Sequence, residues 1–566
     1  MTNSGGDGGR HHSPARIQRA ARELLNLEEL MPGQAEAVAA VLEGRDTLAV
    51  LPTGGGKSAI YQIAGALIPG STVVISPLLA LQRDQLQSIE GMEAGEGALI
   101  NSTLRARQRE ETLDLIEDGA LEFILLAPEQ LADSEVLDAL EASSPSLFVV
   151  DEAHCLSDWG HDFRPDYLRL REVVRRLGHP TILALTATAA PPVREEIIER
   201  LAMRKPAVIV HGFDRPNIHL EVVSRGDERA KIDALTEAIA NAQPPGIVYA
   251  ATRQATEDLA DRLISAGVRA AAYHAGMPAR ERERVQDAFM ADRGEIDVIV
   301  ATTAFGMGVD KPNVRFVFHA SASESLDAYH QEIGRAGRDG APSRAVLFYR
   351  AEDLGLRRYF AARGRLQQET LEQVVEWLRA SASRRSVPVE QIAQAVDLSR
   401  AMTMRALDRL SVLEACTLDK GRARANPDDQ RTPAEVAGEA VAAEERRLAY
   451  DRSRVEMMRA YAETRECRRN FLLNYFGEGA EGGCGRCDND LRAADQEVGG
   501  RVAGAQAAGQ DVPFELNSRV RHSAFGEGTV QHYDDGGVTV LFDDGGYKTL
   551  DADHAVNEGL LKLAGA

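Results

Sequence analysis

Asp46-Thr47-Leu48-Ala49-Val50-Leu51-Pro52-Thr53-Gly54-Gly55-Gly56-Lys57-Ser58 is an apolar run that ends in a glycine-rich turn, with a lysine and a hydroxyl behind it. The run reads as a buried strand. The glycines let the backbone curl around phosphate, and Thr53 belongs to the same loop. Lys57 reaches the terminal phosphates and Ser58 ligates Mg²⁺. Further on, Leu147-Phe148-Val149-Val150 is a second buried-strand run, ending in Asp151-Glu152-Ala153-His154. Such a strand end brings Asp151 to the metal and Glu152 to the attacking water. The two stretches, in this order, predict an ATP-hydrolysing site.

The chain has 566 residues, too many for one domain, and 44% of them are hydrophobic, which is ample for buried cores. No run of eighteen apolar residues occurs, so no membrane span is predicted. A formal charge of −22 argues against a general polyanion binder, but a whole-chain value says little about a local groove. Five cysteines do not suggest a disulfide framework. Three of them, Cys467, Cys484 and Cys487, cluster, which suggests metal in a reducing cytoplasm.

Between residues 30 and 210, short apolar runs alternate with helix-like stretches. The strand candidates are Thr47–Leu51, Thr72–Ser76, Phe123–Ala127, Leu147–Val150, Ile182–Thr186 and Ala207–Val210. That is the pattern of a doubly wound parallel sheet. A second set follows: Gly246–Tyr249, Ala270–Tyr273, Asp297–Ala301, Arg315–His319 and Arg344–Phe348. The fold class is therefore α/β, with two such domains facing across a cleft. The expected organisation is a disordered tail (1–25), a first domain (26–211), a second (212–352) and a winged-helix-like insertion (353–445). A metal-binding segment (446–490), a linker (491–511) and a small all-β barrel (512–566) complete it. Within the insertion, residues 387 to 424 read as helix, turn, helix and hairpin, which fits a winged helix or a plain helical bundle. Arg384, Arg385, Arg400, Arg405 and Arg409 make it basic enough to touch phosphates. Residues 425 to 445 are polar and acidic, and read as a loop.

Further motifs fall in a telling order: Val74-Ile75-Ser76-Pro77-Leu78, Trp159-Gly160-His161-Asp162-Phe163-Arg164-Pro165, Leu185-Thr186-Ala187-Thr188-Ala189, Ala304-Phe305-Gly306-Met307-Gly308-Val309-Asp310 and Gln331-Glu332-Ile333-Gly334-Arg335-Ala336-Gly337-Arg338-Asp339. With them the chain resembles a RecQ-type helicase of superfamily 2. The resemblance implies two RecA-like domains, ATP and Mg²⁺ as cofactors, and 3′-to-5′ translocation that unwinds tailed duplex DNA in repair or recombination. It also implies a cytoplasmic, nucleoid-associated protein. The rival is a DNA-stimulated ATPase that remodels protein–DNA complexes with little strand separation.

Arg335 and Arg338, three apart, are expected on one helical face, where they neutralise charge on the γ-phosphate. Arg338 resembles the family's arginine finger more closely. Trp159, His161 and Phe163 can stack on bases while Arg164 holds phosphate, linking single-stranded DNA to hydrolysis. Thr186 and Thr188 resemble the motif that joins hydrolysis to domain closure. Gln34 matches the glutamine that reads the adenine edge. Met31 and Leu27 stand where the family has an arginine and an aromatic, so weaker adenine selectivity or nucleotide affinity is expected.

Cys467, Cys484, Cys487 and Asp490 align with the family's four zinc cysteines, the last replaced by aspartate. A structural Cys₃Asp zinc site is one reading; a degenerate site without stable metal is the other. The winged-helix candidate precedes this segment, whereas the family places it after. Residues 520 to 530 resemble the small Tudor-like barrel of UvrD/PcrA helicases. That implies a protein-interaction module, for RNA polymerase or another partner; a barrel with no partner is the alternative.

Overall fold

Strands buried on both faces read as continuous apolar runs, and two parallel sheets form from them. The structure is a computed structural model describing residues 14–564, except 53, 78, 92–95, 102–103, 158–164, 292–293, 307–310, 356–365, 382–385, 420, 479–481, 500–512, 516–517, 535–536 and 544–545. In the first domain the strands are β1 (Thr47–Val50), β2 (Thr72–Ile75), β3 (Gly97–Ile100), β4 (Phe123–Leu126), β5 (Leu147–Val150), β6 (Thr181–Thr186) and β7 (Ala207–Val210). They pair in the order β3-β4-β2-β5-β6-β1-β7, all parallel. The second domain contains β8 (Ile218–Ser224), β9 (Gly246–Tyr249), β10 (Ala270–Tyr273), β11 (Val298–Ala301), β12 (Phe316–His319) and β13 (Ser343–Tyr349), in the parallel order β10-β11-β9-β12-β13-β8. Strands β3 and β8 escaped the sequence reading. Both are edge strands with half-buried positions, so their hydrophobic signal is diluted.

A winged-helix arrangement follows. Helices Gln368–Ser381, Val389–Ala395 and Arg400–Val412 pack with β14 (Val387–Pro388), β15 (Cys416–Asp419) and β16 (Arg422–Ala425), paired β14-β16-β15. The expected loop at 425–445 is instead largely helix: one helix runs unbroken from Pro433 to Glu463. Its start is fixed locally. Thr432 Oγ1 accepts from Glu435 N at 3.2 Å, and Thr432 N donates back to the Glu435 carboxylate at 2.7 Å. This reciprocal cap, with Pro433 at the first position, overrides the polar composition. The helix's first half closes the winged core with Val436, Ala437 and Ala440, and its second half enters the main core with Met457, Met458 and Tyr461.

Two other expectations change. The assigned disordered tail holds a helix, Pro14–Leu25, which buries Ile17, Ala20 and Ala21; residues 1–13 lie outside the described residues. The assigned linker begins as a helix, Asp488–Gly499, and its remainder also lies outside them. At the C-terminus β17 (Arg519–His522), β18 (Gly526–Asp534), β19 (Gly537–Phe542), β20 (Gly546–Asp551) and β21 (Leu561–Leu563) form an antiparallel sheet, ordered β20-β19-β18-β17-β21. It is docked onto the core. Tyr547 stacks near Tyr475 and Tyr450, with centroids 5.7 and 6.3 Å away, and Phe471 meets His532 at 4.5 Å. Among the described residues no helix is long and apolar enough to cross a membrane.

A candidate nucleotide cleft and a candidate zinc corner

The glycine-rich loop leaves β1 at its buried C-terminal end, where Leu51 N is held by Thr186 O at 3.0 Å. Gly54 sits at φ +79°, in the left-handed region, so the turn favours a residue without Cβ. The loop then enters the helix Lys57–Leu67, whose open N–H groups form an anion cradle. Lys57 Nζ lies 3.5 Å from the carbonyls of Leu51 and Pro52, folded back on the loop. Ser58 is half-buried one residue on, and Thr53 lies outside the described residues.

Gln34 is almost fully buried, and its amide is occupied. Nε2 donates to the carbonyls of Gly55 and Gly56, each at 2.9 Å, while Oε1 accepts from Met31 N at 2.8 Å. These bonds brace the phosphate loop.

At the end of β5, Asp151 is buried. Oδ1 accepts from Glu152 N at 3.0 Å, and Oδ2 faces Gln85 Nε2 at 3.4 Å and Ser76 Oγ at 3.5 Å. Burial, reinforced by the Glu152 charge, lifts the Asp151 carboxyl to about 6, against a pull downward from Lys57. A buried carboxylate beside a lysine and a serine is a suitable Mg²⁺ ligand, because the cation relieves the cost of its ionised form. Glu152 adopts φ +49°, uncommon for a residue with a side chain, and its Oε2 lies 3.3 Å from His154 Nδ1. His154 Nδ1 is also 3.0 Å from Thr186 Oγ1, and that hydroxyl lies 3.2 Å from Thr188 O. Burial pulls the imidazole down, but Cys155 and Glu152 outweigh it and hold His154 above its ordinary value. A polar chain thus links the acidic strand end to β6.

The second domain closes the cleft. The helix Leu326–Ile333 ends before the arginines, so Arg335 and Arg338 stand on a turn and not on one helical face. The turn separates their destinations. The aliphatic stem of Arg338 packs on the phosphate loop, 3.4 Å from where a Cβ on Gly54 would stand. Arg335 is buried and lines a 130 Å³ cavity together with Glu152, His154, Tyr249 and Gln331. Sequence reasoning missed Tyr249, whose hydroxyl donates to Phe305 O at 2.8 Å, and Gln85. The available signal for Tyr249 was its place at the carboxyl end of a parallel strand.

Trp159, His161, Phe163 and Arg164 lie outside the described residues. Just beyond them, the Tyr167 hydroxyl donates to Asp151 O at 3.2 Å, and Arg169 Nη2 reaches Leu418 O of the winged hairpin at 3.4 Å. Three of the winged unit's arginines are engaged. Arg400 pairs with Glu390 at 2.6 Å, and Arg405 and Arg409 both pair with the buried Glu444, at 2.7 and 2.8 Å. Arg384 and Arg385 lie outside the described residues.

The ligand atoms of Cys467, Cys484, Cys487 and Asp490 all lie within 4.8 Å of one another. Cys484 N donates to Cys467 Sγ at 3.3 Å, and Gly485 N to Asp490 Oδ2 at 2.9 Å. The hydrogen bond between Cys467 and Cys487 holds the Cys487 thiol below its ordinary value and the Cys467 thiol above it. Three soft sulfurs and one carboxylate oxygen fit tetrahedral Zn²⁺, with no open position for chemistry. The surrounding side chains are fastened: Arg468 bridges Asp488 at 2.5 and 3.2 Å, and Asn489 Nδ2 donates to Thr464 O and Glu466 O at 2.9 and 2.7 Å. Asp488 also accepts from Val222 N on β8 at 3.2 Å, which ties this corner to the second domain.

Family models match along the same divisions: DEAD/DEAH box helicase over residues 31–197, helicase conserved C-terminal domain over 230–340 and RecQ zinc-binding over 428–491. Probable ATP-dependent DNA helicase RecS of Bacillus subtilis is 38% identical over 370 residues, covering 65% of this chain and 74% of RecS. ATP-dependent DNA helicase RecQ of the same organism is 40% identical over 347 residues, covering 61% of this chain and 58% of that protein. The chain spans only about half to three-fifths of the bacterial RecQ relatives. A crystal structure of DUF1998 helicase MrfA bound to DNA shares the fold, with a TM-score of 0.51 at 18% identity over 76% of this chain and 64% of that one. Acidic strand end, arginine turn and zinc corner lie in a single chain that matches 74% of RecS, and the chain belongs to the RecQ-type family of ATP-dependent DNA helicases.

Proposed function

We propose that the chain is a DNA-dependent ATPase that translocates 3′ to 5′ on single-stranded DNA and unwinds tailed duplexes in repair or recombination, in the nucleoid of the cytoplasm. The observation that carries this reading is the Arg338 stem against Gly54. It brings a second-domain guanidinium to the phosphate loop only when the domains meet. Hydrolysis is thereby bound to closure, and closure to a step along the strand.

In this reading Lys57 and the N–H groups at the start of its helix hold the terminal phosphates. Ser58 and Asp151 hold Mg²⁺, which supplies charge neutralisation between the phosphates. Glu152 takes the proton of the attacking water, and His154, Thr186 and Thr188 relay its position to β6. Arg335 and Arg338 neutralise the charge that builds on the transferred phosphoryl group. Trp159, His161, Phe163 and Arg164 contact the strand. Cys467, Cys484, Cys487 and Asp490 hold a structural zinc ion. The decisive experiment follows unwinding of a duplex with a 3′ single-stranded tail and ATP hydrolysis in one tube, with Glu152→Gln as control. Strand separation that dies in the control supports the reading.

A second reading has one observation in its favour. Arg400, Arg405 and Arg409 of the winged unit spend their charge on Glu390 and Glu444, so these three offer little to duplex phosphates. A translocase that remodels protein–DNA complexes would then hydrolyse ATP on DNA without separating strands. Residues 512–566 we read as a small barrel of Tudor type that recruits RNA polymerase or another protein. Their nine Asp/Glu against four Lys/Arg disfavour DNA there. Pull-downs with and without these residues that return one partner list would remove that role.

A further inference from the structure

The segment joining the two large domains, residues 212–217, is held from three sides, and one of its side chains reaches into the arginine turn. Arg215 Nη1 donates to Gly334 O at 2.9 Å, and Nη2 donates to Ala336 O at 2.7 Å and Gly337 O at 3.0 Å. These carbonyls follow the C-terminus of the Leu326–Ile333 helix, where main-chain acceptors lack helical partners and a cation is favoured. Asn217 Nδ2 adds bonds to Gly337 O at 2.7 Å and Ala341 O at 3.1 Å. Gly337 is at φ +56°, and a Cβ there would stand 2.4 Å from Asn217 Nδ2, so the turn is clasped closely.

The zinc corner holds the joining segment from its other side. Phe213 stacks on Phe476 with centroids 4.3 Å apart and planes at 5°, and His330 packs on both. Glu478 Oε1 accepts from Gly212 N at 3.2 Å, and Arg469 pairs with Asp214 at 2.5 Å while donating to Ile218 O at 2.9 Å. The first domain acts as the third side indirectly, through Phe476: Arg194, just after the Thr186–Thr188 motif, donates to Phe476 O at 2.5 Å and Ala189 O at 2.8 Å.

We infer that Arg215 is a positioning residue for hydrolysis: it splints the turn that carries Arg335 and Arg338, and the zinc corner fixes Arg215 through the stacked Phe213 and Phe476. The inference rests on the proposed ATP site. Arg215 lies outside the cavity that Glu152 and Arg335 share, so it acts only through the turn. Its guanidinium is held below its ordinary value first by burial and then by the like charge of Arg338. Three carbonyls oppose that repulsion and keep the turn in one shape.

The test uses the full chain with saturating single-stranded DNA. It measures kcat and KM for ATP, the affinity for a fluorescent ADP, and retention of ADP with aluminium fluoride, a mimic of the transferred phosphoryl group. Arg215→Ala is expected to lower kcat about 100-fold and to abolish that retention, because a small misplacement of a catalytic group is enough for such a loss. KM and ADP affinity should stay within about threefold. In a protein already carrying Arg335→Ala and Arg338→Ala, adding Arg215→Ala should cost less than about threefold further. Arg215→Lys, which cannot bridge three carbonyls, gives the same cycle if the alanine protein does not fold. Full additivity, or nucleotide binding that falls in step with kcat, overturns the inference while leaving the ATP site standing. Full turnover in the Arg335→Ala, Arg338→Ala protein overturns the ATP-site reading and this inference with it.

Discussion

The nucleotide cleft and the zinc corner are both small polar clusters, yet they are built in opposite ways. The zinc ligands lie within one stretch of chain, residues 467–490, with their ligand atoms within 4.8 Å of one another. The cleft draws Gln34, Lys57, Asp151, Glu152, Arg335 and Arg338 from across two sheets, and its halves meet where Arg338 packs on the phosphate loop and where Arg335 and Glu152 line one cavity. A site made from one segment keeps its shape when the domains move. A site made from two domains can be made and unmade, as a motor requires. The cleft also carries a strained Glu152 backbone and a carboxyl lifted by burial, whereas the corner's neighbouring charges are paired.

The largest expected effect breaks the cleft alone. Glu152→Gln should lower kcat about 10³-fold, with ATP binding and zinc content unchanged, read by steady-state kinetics and metal analysis. Asp490→Ala should do the reverse. Zinc affinity should fall by at least about 10–100-fold, the range seen even for lost outer partners, with nucleotide affinity retained. One tightly held equivalent of zinc in that variant rules Asp490 out as an essential ligand.

Third comes pH. The Asp151 carboxyl titrates at about 6 in the folded, metal-free state, against an ordinary value of 3.8. The fold therefore binds more protons than the unfolded chain in that window. Stability from this group is fully present below 3.8 and lost as pH rises through 6, a difference of roughly 3 kcal/mol. Mg²⁺ needs the ionised form, so its apparent affinity should fall about tenfold for each pH unit below 6. Mg²⁺ titrations of ATPase activity at pH 5 and 7 check this; equal midpoints would contradict it.

The two smallest effects pair a glycine from each site. Gly54→Ala should cost about 1–2 kcal/mol because of its left-handed backbone, and its new methyl would press on Arg338, so ATP turnover should drop. Gly483→Ala would bring a methyl to 3.2 Å from the Asp490 carboxylate. That is tight but adjustable, and zinc affinity should shift by less than about 1 kcal/mol.

The same contrast explains what could be read without coordinates. The zinc corner was legible as Cys-x-x-Cys-x-x-Asp because its ligands are neighbours in sequence. The phosphate loop and the Asp151-Glu152 strand end were legible because each is a local pattern at a strand terminus. Arg215 and Tyr249 were not. Each is a single residue whose role depends on a turn or a strand end far away in sequence. Gln34 was found, but its contact with the loop of residues 55 and 56 was not, since a glutamine's protein partners are set by tertiary approach. The helix from Pro433 was missed because acidic, polar composition outweighed the one sharp local clue, threonine followed three places on by glutamate.

That helix has a mechanical consequence. Its 31 residues span about 46 Å at 1.5 Å per residue. One end is bolted to the second domain: Arg454 donates to Ser325 Oγ at 2.7 Å, and the Tyr461 and Tyr329 hydroxyls meet at 3.4 Å. The other end carries the winged core. The helix thus joins the second domain to the winged unit, which also meets the first domain where Arg169 donates to Leu418 O at 3.4 Å. From Arg454 to Pro433 the arm is about 32 Å, so a tilt of about 5° at the bolt sweeps the far end through about 3 Å, close to the rise between stacked bases on one DNA strand.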